Sequence, residues 1–331
     1  MTNLNKAIDV VITWVDGSDL NLQKKRQQYL TDEMASDATC ATRFASNDEI
    51  YFAIASVLKY MPESGTIYLV TDQQEPKFLS KFAEENICAA DKIQVIDHQV
   101  LFKGFEEYLP TFNSLTIEAM LWNIPNLSAE FIYLNDDVFF NGKVSPSDCF
   151  LDDQVMVYGH WKKTALVKAK YKFRKWMNTI HHKKLQPRFT IAQMLSADLL
   201  GLNQYYALDH RPHFVKTDLL KVYFQNNLDV LKSQLSHKFR HIDQFLPTGL
   251  ANHLAFQQNK AILKPDIHIA YVKPNDDVCV FVQELQDETI QYGCIQSLDM
   301  MEVQKQHLVR QAMISKFKNY LPKEIQCGAG Q

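Results

Sequence analysis

Ile8–Val15 reads IDVVITWV, a β-branched apolar run with no polar face, the pattern of a strand covered on both sides. Asn47–Tyr60 changes period: Ile50, Ile54, Val57 and Leu58 recur at helical spacing, behind Asn47 in an N-cap position. Thr66–Thr71 (TIYLVT) is a second strand and runs into Asp72. Lys77–Glu85 is read as a helix, and Lys92–Ile96 (KIQVI) as a third strand ending at Asp97. Asn113–Trp122 is helical, with Ile117, Met120 and Leu121 on one face. Phe131 opens a fourth strand-like run, FIYLNDDVFF, whose apolar pattern is broken by Asp136 and Asp137.

This strand–helix alternation predicts an α/β fold: a Rossmann-like or GT-A-like, mostly parallel sheet flanked by helices, with a largely helical C-terminal part. Such sheets bind ligands outside the carboxyl ends of their strands. Acidic residues follow all four runs: Asp16 and Asp19, Asp72, Asp97, and the Asp136–Asp137 pair. The expected division is an α/β part over 1–150 with the acidic strand ends, a basic helical stretch with further site residues over 151–270, and a helical segment over 271–331, integrated into one domain. Helices are predicted over Thr190–Leu202, Thr217–Leu231 and Met301–Tyr320.

With 331 residues and 46% hydrophobic content the chain has material for a large core. A net charge of −3 argues against a nucleic-acid binder. The exception is 161–188, where ten Lys or Arg occur with no acidic residue. Trp161, Ala165, Ala169, Phe173 and Trp176 recur there near helical spacing, which suggests a basic amphipathic helix facing solvent, an anionic glycan or an anionic membrane surface. Apolar runs stop far short of the ~20 residues of a spanning helix, and the first residues lack a basic leader. The six scattered cysteines, with no C-x-x-C, read as reduced thiols. A cytoplasmic location is expected, with peripheral attachment to the inner face of the membrane.

Two adjacent carboxylates in an apolar run need a compensating cation or donors. One reading is a hard divalent cation, Mg²⁺ or Mn²⁺, shared with substrate phosphates. The other is a turn that caps the next element.

The longer motifs resemble the Stealth family of sugar-phosphate transferases, which includes bacterial capsule polymerases and the lysosomal-enzyme N-acetylglucosamine-1-phosphotransferase. Asp9–Asp19 (DVVITWVDGSD) is similar to the first block, and Arg43–Glu49 (RFASNDE) with IYLVTDQQEP to the second. Leu109–Glu118 (LPTFNSLTIE) with LSAEFIYLNDDVFF is similar to the third. His210-Arg-Pro-His213, with Lys238–Asp243 (KFRHID), is similar to the fourth. Beyond Asp243 the likeness is weak. In one departure, Ala55 stands where relatives carry an arginine.

The resemblance implies transfer of a sugar-1-phosphate from a nucleotide-sugar donor to a hydroxyl of an oligosaccharide or polysaccharide acceptor. Asp136 and Asp137 would hold the metal, His210 would act as base, and Arg240 would supply a fixed charge on phosphoryl oxygens. Substrate contacts are expected from Trp14, Asp16, Gly17 and Asp19 at the end of the first strand. Asp9, within that strand and bonding to neighbouring loops, is counted among the substrate-binding residues. Arg43, Asn47 and Glu49 are candidates for pyrophosphate or ribose contacts, with Asn47 alternatively a helix cap. Asn113 is a substrate-binding candidate or a helix cap, and Glu118 a partner of substrate hydroxyls or of the metal shell. His213 orients His210, binds phosphate or packs. A glycosyltransferase with the same Asp pair is the nearest rival, and a binding module without catalysis the next.

Overall fold

The computed structural model describes residues 7–30, 44, 46–181 and 188–328. Four of the expected strands form: β1 (Asp9–Thr13), β2 (Ile67–Thr71), β3 (Ile93–Asp97) and β4 (Glu130–Asn135). They lie in one five-stranded sheet of order β10-β4-β1-β2-β3. The first four run parallel, so their carboxyl ends share one edge. The fifth, β10 (His213–Lys216), pairs antiparallel with β4. Helix α1 (Leu20–Gln27) follows β1, and α2 (Glu49–Tyr60), almost wholly buried, precedes β2.

FIYLNDDVFF is not one strand. β4 stops at Asn135, the chain turns at Asp136 and Asp137, and β5 (Val138–Phe140) joins a different sheet. The physical reason is the carboxylate pair itself. It cannot sit in a strand covered on both faces, so the apolar halves on either side go to separate sheets.

Other boundaries shift for local reasons. α2 is preceded not by a capping Asn47 but by Asp48, in a left-handed conformation (φ 70°) without a side-chain cap. Asn113–Trp122 holds only five α-helical residues, α3 (Ser114–Glu118), before a tight turn over Leu121–Asn123. Lys77–Glu85 contributes a single turn, Lys81–Glu84.

In the second half, short strands β6 (Phe150–Leu151) to β9 are interleaved with the expected helices. β7 (Gln154–Tyr158) pairs with β6 and with β11 (Ala261–Lys264), and β8 (His160–Lys163) with β9 (Gln204–Ala207). Trp161 lies in β8 and packs against Tyr206 and Phe256, so it is not on the helix expected to carry it. That helix, α4 (Thr164–His181), starts after it. α5 (Phe189–Asp198) follows, then α6 (Thr217–Asn226) and α7 (Leu228–Leu235), two helices where one was expected, split at Asn227. α8 (Pro247–Gln257), α9 (Val278–Gln286) and α10 (Val303–Phe317) complete the helices. β12 (Ala270–Val272) and β13 (Tyr292–Ile295) form a sheet with β5, which returns the C-terminal part to the carboxylate turn. One apolar core runs from Ile8 to Ile325.

A buried polar seam joins α3 to the 237–244 loop. Asn113, fully buried, caps α3 through Leu115 N–H, while its amide donates to His237 O and Gln244 Oε1 (3.0 and 2.7 Å). Glu118 lies on the same helix, and its Oε2 has no partner among the described residues. Burial raises its carboxyl to about 7, against the opposing pull of Arg240.

Two predictions follow from these buried groups. Asp9 accepts from Thr66 N–H and Ser128 N–H (2.8 Å each), stapling β1 to the approaches of β2 and β4. Asp9→Ala orphans both donors and should cost about 1–3 kcal/mol in denaturant unfolding; an unchanged midpoint would refute the staple. Glu118 keeps its proton in the folded state, whereas the unfolded chain loses it near 4.5, so stability falls as pH rises from about 4.5 to about 7. Glu118→Gln should lessen that fall, the remainder coming from Glu49 and the Asp136–Asp137 pair, whose carboxyls are also raised; denaturant midpoints on either side of the window read the difference.

Candidate active site

At the carboxyl edge of the parallel strands lies a cavity of ≈ 450 Å³, and Asp136, Asp137, His210 and Arg240 all line it. These four residues come from segments up to a hundred positions apart in sequence. Each is placed by a distinct piece of the fold.

The Asp pair sits on the turn between β4 and β5. The turn is anchored by Ile295 N–H, which donates to Asp137 O (2.9 Å), and by Cys294 Sγ, which donates to the Asp137 carboxylate (3.7 Å). Burial pushes the Asp136 carboxyl well up, and the charges of Asp137 and Glu49 push it further. Burial also raises Asp137, but His210 and Arg240 are close enough to pull it partly back. Glu49, from the first turn of α2, is a further carboxyl of the cavity; burial raises it to about 7, and Asp137 and Asp48 add to the shift. The site therefore gathers several carboxyls, with His210 and the Arg240 guanidinium on one flank.

His210 is delivered by β10, whose pairing with β4 sets His213 opposite Tyr133. The imidazole of His210 stacks on Phe189 (5.2 Å, 19°). Between the two histidines, Arg211 is buried, lies over the Tyr158 ring and donates to Tyr158 O. His213 stacks on Tyr133 (6.4 Å) and does not line the cavity; burial and the neighbouring Arg211 drive it down to about 3.

Arg240 is delivered by contacts between two sequence blocks. Phe112 N–H donates to Lys238 O (2.9 Å), and the Phe112 ring stacks on Phe239 (5.2 Å). The guanidinium donates to Ser114 Oγ (2.6 Å), and Glu118 lies within range of its charge.

The first-strand residues divide by job. Trp14 lines the cavity and donates through Nε1 to Ser46 Oγ (3.1 Å). Asp16 does not line it; its carboxylate closes a turn on Ser18 N–H (2.8 Å), and its backbone is clasped by the Gln74 amide. Asp19 caps α1 through Leu22 N–H (2.7 Å). Gly17 donates to Phe44 O (2.6 Å), and a Cβ there would lie 2.4 Å from that oxygen, so only glycine permits the approach. Asp16, Gly17 and Asp19 thus shape the loop beside Leu22 and Phe44, which line the cavity, while none of the three is itself a lining residue. Asp9 is at the opposite end of β1, occupied with backbone donors as expected of a strand residue and removed from the cavity. Asn113 and Glu118 support Arg240 from behind. Asn47 offers its carbonyl to Arg310 (3.3 Å) and its backbone N–H to Glu49, with its side-chain Nδ2 unpartnered. Arg43 lies outside the described residues. Ala55 is fully buried in the core.

Several lining residues were not anticipated. Thr13, Ser114 and His98 lie in or beside segments already singled out, yet nothing in their type marks them. Burial holds His98 near 4. Gln296, Ser297 and Asp299 come from the loop after β13, a four-residue strand with a glycine that carries almost no pattern. Asp72, noted only as a strand-terminal acid, lines the cavity paired with Lys25 (2.9 Å). Among the described residues no group of three or more His, Cys, Asp or Glu side chains is gathered as a metal cluster. Any cation at the Asp pair would take its remaining ligands from phosphate and water, the usual habit of Mg²⁺.

Comparison with known proteins finds relatives by sequence. Stealth protein CR1, conserved region 1, matches residues 6–33, and Stealth protein CR2, conserved region 2, matches residues 43–158. The capsular polysaccharide phosphotransferase cps1A of Actinobacillus pleuropneumoniae is 50% identical over 135 residues, 40% of this chain and 35% of its own length. The chain thus spans about a third of that relative. The capsular polysaccharide phosphotransferase LcbA of Neisseria meningitidis is 34% identical over 286 residues, 83% of this chain and 68% of its own length. Among solved structures, the galactosyltransferase LgtC bound to donor and acceptor sugar analogs covers 87% of both chains at 12% identity, with a TM-score of 0.40. On the matched regions and the extent of the LcbA alignment, the chain belongs to the Stealth family.

Proposed function

We propose that the protein is a sugar-phosphate transferase of capsular or exopolysaccharide synthesis. In this reading it transfers a hexose-1-phosphate or N-acetylhexosamine-1-phosphate from a UDP-sugar to a glycan hydroxyl. The observation that carries the reading is the convergence of Asp136, Asp137, His210 and Arg240 on one cavity.

The acceptor oxygen attacks the phosphorus nearest the sugar. The bond from that phosphorus to the bridging oxygen of the diphosphate breaks, and UMP leaves with the electron pair. The sugar's C–O bond is untouched, and the product is a phosphodiester. His210 takes the hydroxyl proton on a ring nitrogen. Arg240, braced by Ser114, holds phosphoryl oxygens, and its guanidinium keeps its charge throughout. Asp136 and Asp137 fit Mg²⁺ or Mn²⁺, because they sit side by side and half-buried, with both carboxyls raised by burial and that of Asp136 also by the Asp137 charge. The ion would supply charge neutralisation on the diphosphate oxygens. Trp14 offers an indole edge or face to the nucleoside or sugar.

Attachment to an anionic membrane surface is part of this proposal. On α4, Val167 and Tyr171 pack inward, and Lys175 pairs with Asp243 (2.8 Å). Leu166, Phe173 and Trp176 are 65%, 58% and 57% exposed, with Lys162, Lys163, Lys170 and Lys172 exposed around them. An outward aromatic face within a basic field matches an anionic lipid surface. Among the described residues no helix is long and apolar enough to cross a membrane.

The released nucleotide tests the reaction: UMP supports phosphotransfer, and UDP would replace it with glycosyl transfer by the same Asp pair. His210→Ala should lower kcat by about 10²–10⁴ with the melting temperature unchanged, and Arg240→Lys by about 10²-fold or more. Wild-type rates from either variant would remove that residue from the mechanism. For the membrane, the chain should sediment with phosphatidylglycerol vesicles at low salt and be released at high salt. Phe173→Ser with Trp176→Ser should abolish sedimentation, and failure of the unaltered chain to bind at low salt would exclude the attachment.

A further inference from the structure

A second cavity, of ≈ 780 Å³, opens beside the first and is built largely by the C-terminal part of the chain. His210 lines both. Tyr271, on β12, lines the second cavity, and its hydroxyl donates to Gln296 Oε1, which lines the first. A hydrogen-bonded Tyr–Gln pair and the shared His210 therefore stand between the two cavities.

We propose that this second cavity receives the acceptor, and that it is built for an uncharged, hydroxyl-rich saccharide terminus. The inference rests on the phosphotransfer reading for the role of His210, but the ligand chemistry comes from the cavity itself. Its volume lies within the ~300–1,000 Å³ of ligand sites. Four carboxylates line it: Asp209, Asp276, Asp277 and Glu284. Of its two histidines, His268 is engaged with Glu284 (2.7 Å). Ionised carboxylates only accept hydrogen bonds, which suits sugar hydroxyls and repels phosphate or carboxylate. Val280 (51% exposed) and the Ile267–Ile269 stretch supply apolar surface for the C–H faces of a ring. The two cavities are thus opposite in ligand preference. The first has Arg240 and a cation-seeking Asp pair for a diphosphate. The second has neither, so a nucleotide-sugar entering it meets repulsion. A hydroxyl presented from the second cavity meets His210 on the wall shared with the first, where the base can take its proton as it attacks phosphorus.

The test uses the full chain and two readouts. Saturation-transfer NMR is run with neutral oligosaccharides ending in hexose or N-acetylhexosamine, and with the same chains bearing a terminal phosphate or sialic acid. Nucleotide-sugar turnover is measured in parallel. The neutral set should bind, and the charged set should bind about tenfold more weakly or worse. Val280→Trp fills the cavity from an exposed helix position and should raise the glycan KM at least about tenfold while the UDP-sugar KM shifts far less. Asp209→Asn, which removes a carboxylate without adding bulk, should narrow the gap between neutral and charged glycans. The proposal is overturned if no neutral glycan binds the unaltered chain, if charged termini bind as well, or if Val280→Trp changes the two KM values alike. Glycan binding lost in Val280→Trp, in a chain that turns over no nucleotide-sugar, would instead sink the phosphotransfer reading and leave the cavity assignment standing.

Discussion

The site depends on holding two neighbouring carboxylates, Asp136 and Asp137, in a place where neither is well solvated. Their mutual repulsion and burial both favour the neutral forms. A turn with such a cost would normally relax outward into water. Here it cannot, because β4 is paired with β1 and β10 in one sheet while β5 is paired with β13 in another. Both flanking strands are buried, and the turn backbone is tied by Ile295. The strain of unbalanced charge is thus locked into the topology, and its relief is left to a ligand.

The rest of the site is arranged around that constraint. Pairing of β10 with β4 brings His210 to the turn. The seam of Asn113, Gln234 and Gln244, all buried and mutually satisfied, brings Arg240. A fully connected polar network of this kind fixes position without leaving groups orphaned. The three chemical components therefore have independent supports, and each support is rigid on its own terms. An arrangement of that sort favours pre-organised electrostatics over groups that must move into place.

How much of this was legible in sequence follows from how each element earns its stability. The parallel strands were readable because a strand covered on both faces must be apolar throughout. The β4–β5 break was readable as an anomaly but not as a change of sheet, since both halves have the same apolar pattern. The C-terminal strands left little trace. Three or four residues such as AYV and YGCI are held by partners far along the chain, and their periodicity is too short to register. Trp161 matched helical spacing by coincidence, while its packing against Tyr206 and Phe256 placed it in a strand. Catalytic candidates came through whole motifs, not through residue type. Gln296 and Ser297 belong to no such motif and stayed invisible.

The acidic residues after the four parallel strands make the last point. They are the same residue type at equivalent topological positions, and by sequence they are alike. In the structure Asp16 closes a turn, Asp19 and Asp97 cap helices, and Asp72 is neutralised by Lys25. Each of these has its charge met by local donors or by a cation. Asp136 meets instead another carboxylate and Glu49. What sets the Asp136–Asp137 pair apart from the other strand-end acids is neither identity nor place on the sheet edge. It is whether the fold supplies its counter-charge, and at the β4–β5 turn it does so only in part, from one side, through His210 and Arg240.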